Sequence, residues 1–329
     1  MNVLLVRTSA MGDVVHALPV LTALRRQRPE ARIAWAIEEG FAPLLAGHAD
    51  LDRLIPVRLR QDRRRPWRAA AEWRRVRRRL RAFDADVALD LMGNHKGALL
   101  ARLSGARRVI GAARDQRREP ASARWLNETV ATGGVHAVDR GLALLGALGL
   151  EPQPADFAGD KLLPAAVADA DPPYAVVQAG AGWGNKRYPP VWWGRVARAL
   201  ARRTGLEIRV PIAPGEEELA AAVAAASDGA ARAVDAGPLP RLVALLRGAR
   251  LVLGGDTGPL HLAHALGVSV LCLMGPTDPR RNGPYGAPER ALWRQLPCSF
   301  CYKRLVDAKA CLLTIPPDDV VARACALLA

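Results

Sequence analysis

The sequence predicts an α/β protein made of two parallel sheets, each covered by helices. Short apolar runs alternate with segments of helical periodicity in both halves of the chain. A segment rich in Pro, Ala and Asp, residues 151–173, separates the halves. Parallel strands need helical crossovers, so this order predicts two doubly wound, Rossmann-like domains, 1–155 and 156–329, that face each other across a cleft.

In the first half, short apolar runs predict strands at 3–6, 32–37, 52–57, 86–91 and 109–110. A helix is predicted from the end of the first strand to about Arg28, and a basic helix within 58–81. Helices between the strands would cover both faces of the sheet, which explains why the strands read as continuous apolar runs.

The second half repeats this plan. Strands are predicted at 174–178, 207–211, 251–253 and 268–274, and helices at about 191–203, at 216–226 and after residue 257. The last helix of the chain can cross back to the first domain. Ligands of such sheets bind outside the carboxyl ends of the strands, so the strand-to-helix loops are the first place to look for a site.

Composition narrows the class of protein. Half of the 329 residues are apolar, which is enough to build two cores. No apolar run approaches the roughly 20 residues of a membrane span, and the chain starts in a strand-like segment rather than a signal peptide. All five cysteines lie beyond residue 271, unlike a secreted disulfide framework, so we expect a cytoplasmic protein with reduced thiols.

Positive charge is concentrated in the first half. Residues 1–155 hold 27 of the 47 Lys and Arg residues but 16 of the 32 acidic ones, and 12 arginines lie within 58–81. Trp73, Val76 and Leu80 recur there at helical spacing, so one stripe is apolar and the rest is basic. Such a helix fits an anionic membrane surface, an anion-binding groove or a solvated face, and no nucleic-acid-binding motif accompanies it.

Three strand-to-helix loops carry the unusual residues. They read RTSAMGD at 7–13, AGAGWGNKRYPP at 179–190 and GGDTGPLHLAHALG at 254–267. In the third, a helix that begins at Thr257-Gly258 would offer N–H groups and a hydroxyl to an anion. Asp256 can bind a sugar hydroxyl or order the loop, whereas His261 and His264 are more often structural than ligands.

The other two loops suggest complementary chemistry. In the second, Lys186-Arg187 follows three glycines and can supply positive charge to a diphosphate leaving group, although neither a P-loop nor a dinucleotide fingerprint is present. In the first, Asp13 after Gly12 either caps a helix or removes a proton from an acceptor hydroxyl.

Together these stretches resemble the ADP-heptose glycosyltransferases of lipopolysaccharide core assembly. The resemblance is carried by TSAMGDVVHALPVLTAL at 8–24, AIEEGFAPL at 36–44, REP at 118–120, HAVDR at 136–140, KRYPP at 186–190, GDTGPLHLAHALG at 255–267 and LMGPTDP at 273–279. His16 and the EEGF stretch favour the type I over the type II enzymes. The resemblance implies a GT-B fold and inverting transfer of L-glycero-D-manno-heptose from ADP-heptose to a Kdo hydroxyl of Kdo-lipid A.

It also implies partners and residues. We expect no metal or other cofactor, no nucleic acid partner, and a monomer that is peripheral at the cytoplasmic face of the inner membrane. Asp13 would be the general base, and Lys186 would stabilise the departing diphosphate. The implied donor-binding residues are Gly12, Lys186, Arg187, Glu216, Glu217, Asp256, Thr257, Gly258 and His261. The implied acceptor-binding residues are Ser9, Arg60, Arg63, Arg118, His136 and Arg140.

Some features leave alternatives open. Ala181-Gly182 stand where some type I enzymes carry hydroxyl residues, so main chain would replace a side-chain phosphate contact. Cys298, Cys301, Cys311 and Cys325 match the spacing of Cys-bearing tails in the family, where zinc or iron is one reading and simple thiols the default. Alternative functions are a related transferase with another acceptor, including a protein, or another donor; a basic binding module; and an unrelated nucleotide-binding enzyme such as a sugar epimerase.

Overall fold

The computed structural model describes residues 1–58, 66–163 and 172–329, without the side chains of 66–69. The chain divides into two compact units, Met1–Leu163 and Pro164–Ala329. This boundary lies somewhat beyond the 155/156 boundary expected from the sequence. Arg60 and Arg63, two of the predicted acceptor-binding residues, lie outside the described residues.

The described part of the first unit contains a six-stranded parallel sheet. Its strands are β1 (Asn2–Val6), β2 (Arg32–Glu38), β3 (Arg53–Val57), β4 (Val87–Asp90), β5 (Arg108–Ala112) and β6 (Glu128–Val130). The helices are α1 (Met11–His16), α2 (Leu18–Gln27), α3 (Pro66–Arg81), α4 (His95–Leu103) and α5 (Ala137–Ala143). The predicted first helix is divided at Ala17, so α1 and α2 are separate elements.

The described part of the second unit repeats this arrangement with another six-stranded parallel sheet. Its strands are β7 (Tyr174–Gln178), β8 (Glu207–Ile212), β9 (Ala231–Asp235), β10 (Leu251–Gly255), β11 (Val270–Leu273) and β12 (Ala291–Leu292). The helices are α6 (Pro190–Thr204), α7 (Glu217–Ala225), α8 (Leu239–Arg247), α9 (Gly258–Ala265), α10 (Pro279–Asn282), α11 (Ala310–Leu313) and α12 (Pro317–Ala326).

Both sheets have the same strand order, and this order positions the site. The first runs β3-β2-β1-β4-β5-β6 and the second β12-β11-β10-β7-β8-β9. In each, the order reverses between the unit's first and fourth strands, which creates a crevice at their carboxyl ends. The loops that follow β1 and β4, and those that follow β7 and β10, therefore lie at the two topological switch points.

Apolar burial explains why these segments form a sheet. Residues 3–6 of β1 are fully buried, as expected for a central parallel strand covered on both faces. In the second unit, Tyr188 and Trp193 pack in a core with α12, whose Val320 and Ala324 are buried. The last helix, which the sequence left free to cross to the first domain, thus packs within the second unit.

Candidate active site

The switch point of the second unit brings a lysine and an aspartate together. Lys186 lies in a 3₁₀ turn, Gly184–Lys186, after β7, and Asp256 directly follows β10. The Lys186 ammonium donates to Asp256 Oδ2 at 2.6 Å and to the Asp256 carbonyl oxygen at 3.2 Å. A Cβ on Gly255 would lie 2.5 Å from the Lys186 carbonyl oxygen, so a larger residue there would push the two loops apart.

The Asp256 carboxylate is held by three side chains. Oδ2 also accepts a hydrogen bond from the Thr277 hydroxyl at 2.6 Å, and Oδ1 lies 2.8 Å from His261 Nε2. Burial by itself would raise the pKa of Asp256, but the hydrogen bonds and charges of His261 and Lys186 outweigh it and hold the pKa well below its usual range. The aspartate is therefore ionised and compensates the charge of Lys186.

Next to this cluster, the N-terminus of α9 presents groups that suit an anion. Thr257 is the N-cap, and its hydroxyl is buried without a hydrogen-bond partner in the described structure. His261 N–H donates to the Thr257 carbonyl at 3.2 Å, so the N–H groups of Gly258 and Leu260 precede the first bond of the helix. The predicted loop followed by a helix that begins at Thr257-Gly258 is confirmed. The helix start offers an oxyanion a hydroxyl, two N–H donors and the helix dipole.

Beside the glycine-rich loop lies Glu216. The Arg187 guanidinium donates to the Ala181 carbonyl at 2.9 Å, which closes the loop on itself. Burial raises the pKa of the half-buried Glu216, and the charge of Arg187 opposes that shift. A Cβ on Gly180 would overlap the Glu216 carboxylate, so glycine lets that carboxylate lie against the backbone. Glu217 is exposed instead, and accepts a hydrogen bond from Gly215 N–H.

In the first unit, Asp13 lies at the other switch point. It is the third residue of α1, and its Oδ2 accepts the N–H of the N-cap residue Ala10 at 3.2 Å, so it does stabilise the helix start. Its Oδ1 pairs with Arg7, which is 14% exposed and also donates to the carbonyl of Leu91 after β4. The Asp13 side chain is 40% exposed, so both oxygens are fixed while the carboxylate remains open to solvent.

The predicted acceptor-binding residues have different environments. Arg118 is exposed and Ser9 half-buried. His136 is buried as the N-cap of α5, where its Nδ1 accepts from Val138 N–H at 3.1 Å. Arg140 donates to the Gln116 carbonyl and so holds the backbone of its own unit.

The sequence does not predict four contacts near the two switch points. Arg7 follows β1 and Thr277 follows β11, so both lie near the carboxyl ends of strands. Their contacts with Leu91 and Asp256 join residues that are distant in sequence, whereas the pair of Arg7 with Asp13 is local. Trp183 lies below Lys186, with its ring centroid 4.5 Å from the ammonium, and Arg304 also stacks on it at 4.8 Å. A Trp inside a glycine-rich loop was the available signal.

Across the described ranges, no cluster of three His, Cys, Asp or Glu side chains is arranged to hold a metal ion. Cys298 and Cys301 are exposed, and Cys311 and Cys325 are partly buried, all as free thiols. No helix in the described part of the chain is long and apolar enough to span a membrane.

Comparison with known proteins then gives the family. The model of glycosyltransferase family 9 (heptosyltransferase) matches residues 73–311. The chain belongs to this family. Among relatives of this heptosyltransferase family, lipopolysaccharide heptosyltransferase 1 of Pseudomonas aeruginosa is 38% identical over 92% of the chain and 87% of the relative. The enzyme of that name from Escherichia coli K12 is 35% identical over 87% of the chain and 91% of the relative.

Solved structures agree. E. coli heptosyltransferase WaaC with ADP is similar with a TM-score of 0.79 and 33% identity, covering 91% of this chain and 94% of that one. E. coli WaaC with ADP-2-deoxy-2-fluoro heptose is similar with a TM-score of 0.78 and 30% identity, covering 97% of this chain and 98% of that one. The predicted fold class, family and glycosyltransferase activity of the lipopolysaccharide heptosyltransferase class are confirmed.

Proposed function

We propose that this heptosyltransferase-family chain moves L-glycero-D-manno-heptose from ADP-heptose to a Kdo hydroxyl of Kdo-lipid A, with inversion. The observation that carries the donor assignment is the buried, unpartnered Thr257 hydroxyl at the N-terminus of α9, beside the Lys186–Asp256 pair. The similarity to WaaC structures with ADP and with an ADP-heptose analogue supports the same donor.

The donor diphosphate binds at the start of α9 in this proposal. Thr257 donates its hydroxyl, and Gly258 its N–H, to phosphate oxygens. Lys186 uses two of its three N–H donors on Asp256, which leaves one for the diphosphate. His261 acts through Asp256, because its contact with the carboxylate orients that group rather than the donor.

The remaining donor-side residues bind other parts of ADP-heptose. Glu216 binds a ribose hydroxyl, whereas exposed Glu217 orders the turn that precedes α7. Arg187 stabilises the glycine-rich loop by its hydrogen bond to the Ala181 carbonyl. Gly12, in the first turn of α1, is the donor-binding residue proposed on the side of Asp13.

The reaction is a displacement at the anomeric carbon. The acceptor hydroxyl oxygen forms a bond to that carbon while the bond from the carbon to the phosphate oxygen breaks, and ADP departs with the bonding electrons. Asp13 takes the hydroxyl proton. Lys186 and the α9 N-terminus stabilise the charge that develops on the leaving diphosphate. No metal or further cofactor enters this scheme.

The acceptor assignment rests on charge. Kdo-lipid A carries carboxylates and phosphates, and the first half of the chain is the more basic one. Exposed Arg118 is suited to bind these anions directly, with Ser9 near the base. His136 acts by capping α5 at Val138, and Arg140 by holding the backbone at Gln116. The chain would work as a monomer at the cytoplasmic face of the inner membrane.

The test is a donor and acceptor matrix with purified protein. ADP release is followed with ADP-heptose or ADP-glucose as donor, each with Kdo-lipid A, with Kdo-lipid A already carrying one heptose, or with no acceptor. We expect fast release only from ADP-heptose with Kdo-lipid A. Release that requires the heptosylated acceptor or a polypeptide, or that occurs equally without an acceptor, contradicts the proposal.

A further inference from the structure

A patch of four arginines on helix α3 lies outside the residues to which we assign the transfer chemistry. Arg74, Arg77, Arg78 and Arg81 recur at the i, i+3, i+4, i+7 spacing that places residues on one helix face. All four are exposed, while Val76 and Leu80 on the opposite stripe are buried. We call these four residues the α3 arginine face.

This face costs the helix stability. Like charges at i, i+4 repel each other, and Arg74–Arg78 and Arg77–Arg81 are two such pairs. Within the described part of the chain, none of the four forms an ion pair with a carboxylate, whereas Arg75 on the flank of the helix pairs with Glu72 at 3.3 Å. A concentration of uncompensated charge suits an anionic partner.

Several arginines elsewhere in the described structure are compensated by carboxylates. Arg58 pairs with Glu39, Arg108 with Glu128 and Arg241 with Asp235. Helix α6 also carries four arginines, and Arg198 there pairs with Asp228. The other three, Arg195, Arg202 and Arg203, are exposed and form no ion pair in the described structure. The α3 arginine face differs from α6 in two respects: none of its four arginines is paired with a carboxylate in the described structure, and they follow one unbroken i, i+3, i+4, i+7 stripe.

We infer that the α3 arginine face docks the protein on an anionic lipid bilayer. The proposed acceptor is lipid-borne, so this inference rests on the proposed function in naming a membrane. The apolar stripe of α3 is packed into its own unit, with Val76 and Leu80 in the core beside β3 and β4. The α3 arginine face thus offers guanidinium groups to a surface, and it adsorbs electrostatically.

The test is sedimentation of the full chain with vesicles. Vesicles of phosphatidylcholine alone are compared with vesicles containing phosphatidylglycerol, at low and high salt. A basic residue near an anionic surface strengthens binding about fivefold. We expect the quadruple variant R74Q/R77Q/R78Q/R81Q to bind anionic vesicles at least about a hundredfold more weakly. Glutamine is a good helix former, and circular dichroism verifies that the variant is folded.

A matched control changes the same number of arginines on α6, as R195Q/R198Q/R202Q/R203Q. Both variants have the same net charge, so a loss confined to the α3 variant supports the local surface. Equal losses in both variants, unchanged binding of the α3 variant, or equal wild-type binding to neutral vesicles overturns the inference. Tighter salt-dependent binding of wild type to a DNA duplex than to anionic vesicles overturns it in favour of nucleic acid.

Activity separates this inference from the proposed function. With acceptor dispersed in detergent, the α3 variant should release ADP at the wild-type rate, and with acceptor embedded in anionic vesicles it should lose most of that rate. If wild type releases no ADP in either format, the proposed function fails while the vesicle result still decides the docking surface. A variant equally active in both formats contradicts docking by this face.

Discussion

Each of the two switch points contains an aspartate paired with a basic side chain, but the two pairs differ in burial. After β1, Asp13 pairs with Arg7, and after β10, Asp256 pairs with Lys186. The Asp13 side chain is 40% exposed, whereas that of Asp256 is 7% exposed and accepts from three side chains. The switch points of two similar sheets thus hold one carboxylate that is open to solvent, after the first strand of its unit, and one that is buried among its hydrogen-bond partners, after the fourth strand.

The difference in burial supports the separate roles that we propose for the two carboxylates. A base must be reachable by the proton it removes, and Asp13 meets that condition. Asp256 cannot act in that way, because its low pKa and its three partners keep it as a fixed anion. In the proposed function, Asp256 holds Lys186 and the start of α9 in position for the donor.

The strongest test of this contrast is Asp256→Asn. Removing one member of a buried ion pair leaves Lys186 uncompensated, so we expect the free energy of unfolding to fall by about 3 kcal/mol. Asp235→Asn is the control, because Asp235 pairs with Arg241 on the surface of the same unit and should change stability by less than about 1 kcal/mol. Urea unfolding measures the free energy of unfolding of both variants. Equal losses would show that the Lys186–Asp256 pair stabilises the protein no more than an exposed ion pair does.

The two threonines near Asp256 offer an isosteric comparison. Thr277→Val removes a hydroxyl that donates to Asp256, so we expect a loss of about 1.5 kcal/mol in unfolding free energy. Thr257→Val removes a buried hydroxyl without a described partner, and should change the unfolding free energy by less than about 0.5 kcal/mol. Thermal unfolding of both variants tests this difference. A larger loss of stability in Thr257→Val than in Thr277→Val would refute the assigned hydrogen bonds.

Thr257→Val should weaken donor binding more than it weakens folding. A hydrogen bond to a charged phosphate is lost, so we expect ADP affinity to fall about tenfold by calorimetry. Thr314→Val serves as the control, because that hydroxyl bonds only to the backbone of its own helix turn, at Ala310. Wild-type ADP affinity in Thr257→Val would remove the hydroxyl from the donor site.

The smallest effect concerns pH. Because the pKa of Asp256 is lowered by folding, its stabilisation is present above the usual value of 3.8 and is lost as the pH falls through the folded-state pKa. The stability difference between wild type and Asp256→Asn should therefore stay constant from neutral pH to about pH 4.5 and shrink below about pH 3. A difference that grows on acidification would contradict an ionised Asp256.

Sequence reasoning reached most of the fold because central parallel strands are fully apolar. The strand at Tyr174–Gln178 was located to the residue, since all five positions are buried. The strands Glu128–Val130 and Ala231–Asp235 were missed because they are sheet edges with exposed polar residues. Short, half-exposed edge strands lack the apolar run on which the prediction depends.

At the site, the loops were predictable but their pairings were not. Thr257 at a helix start follows from local sequence, because capping involves neighbouring residues. The contact between Lys186 and Asp256 spans 70 residues and depends on β7 and β10 being neighbours, which the sequence does not specify. The burial that distinguishes Asp256 from Asp13 is likewise a property of the packed sheet.

The division of labour between the two carboxylates is tested most directly by measuring ADP binding and ADP release together. Asp13→Asn should bind ADP as wild type does but release it from ADP-heptose and Kdo-lipid A at least about a hundredfold more slowly. Lys186→Met should bind ADP more weakly. Glu39→Gln breaks an exposed ion pair with Arg58 in the unit that contains Asp13, and it should change neither ADP affinity nor the rate of ADP release. Turnover by Asp13→Asn within about tenfold of wild type, or a loss of ADP affinity like that of Lys186→Met, would contradict the account.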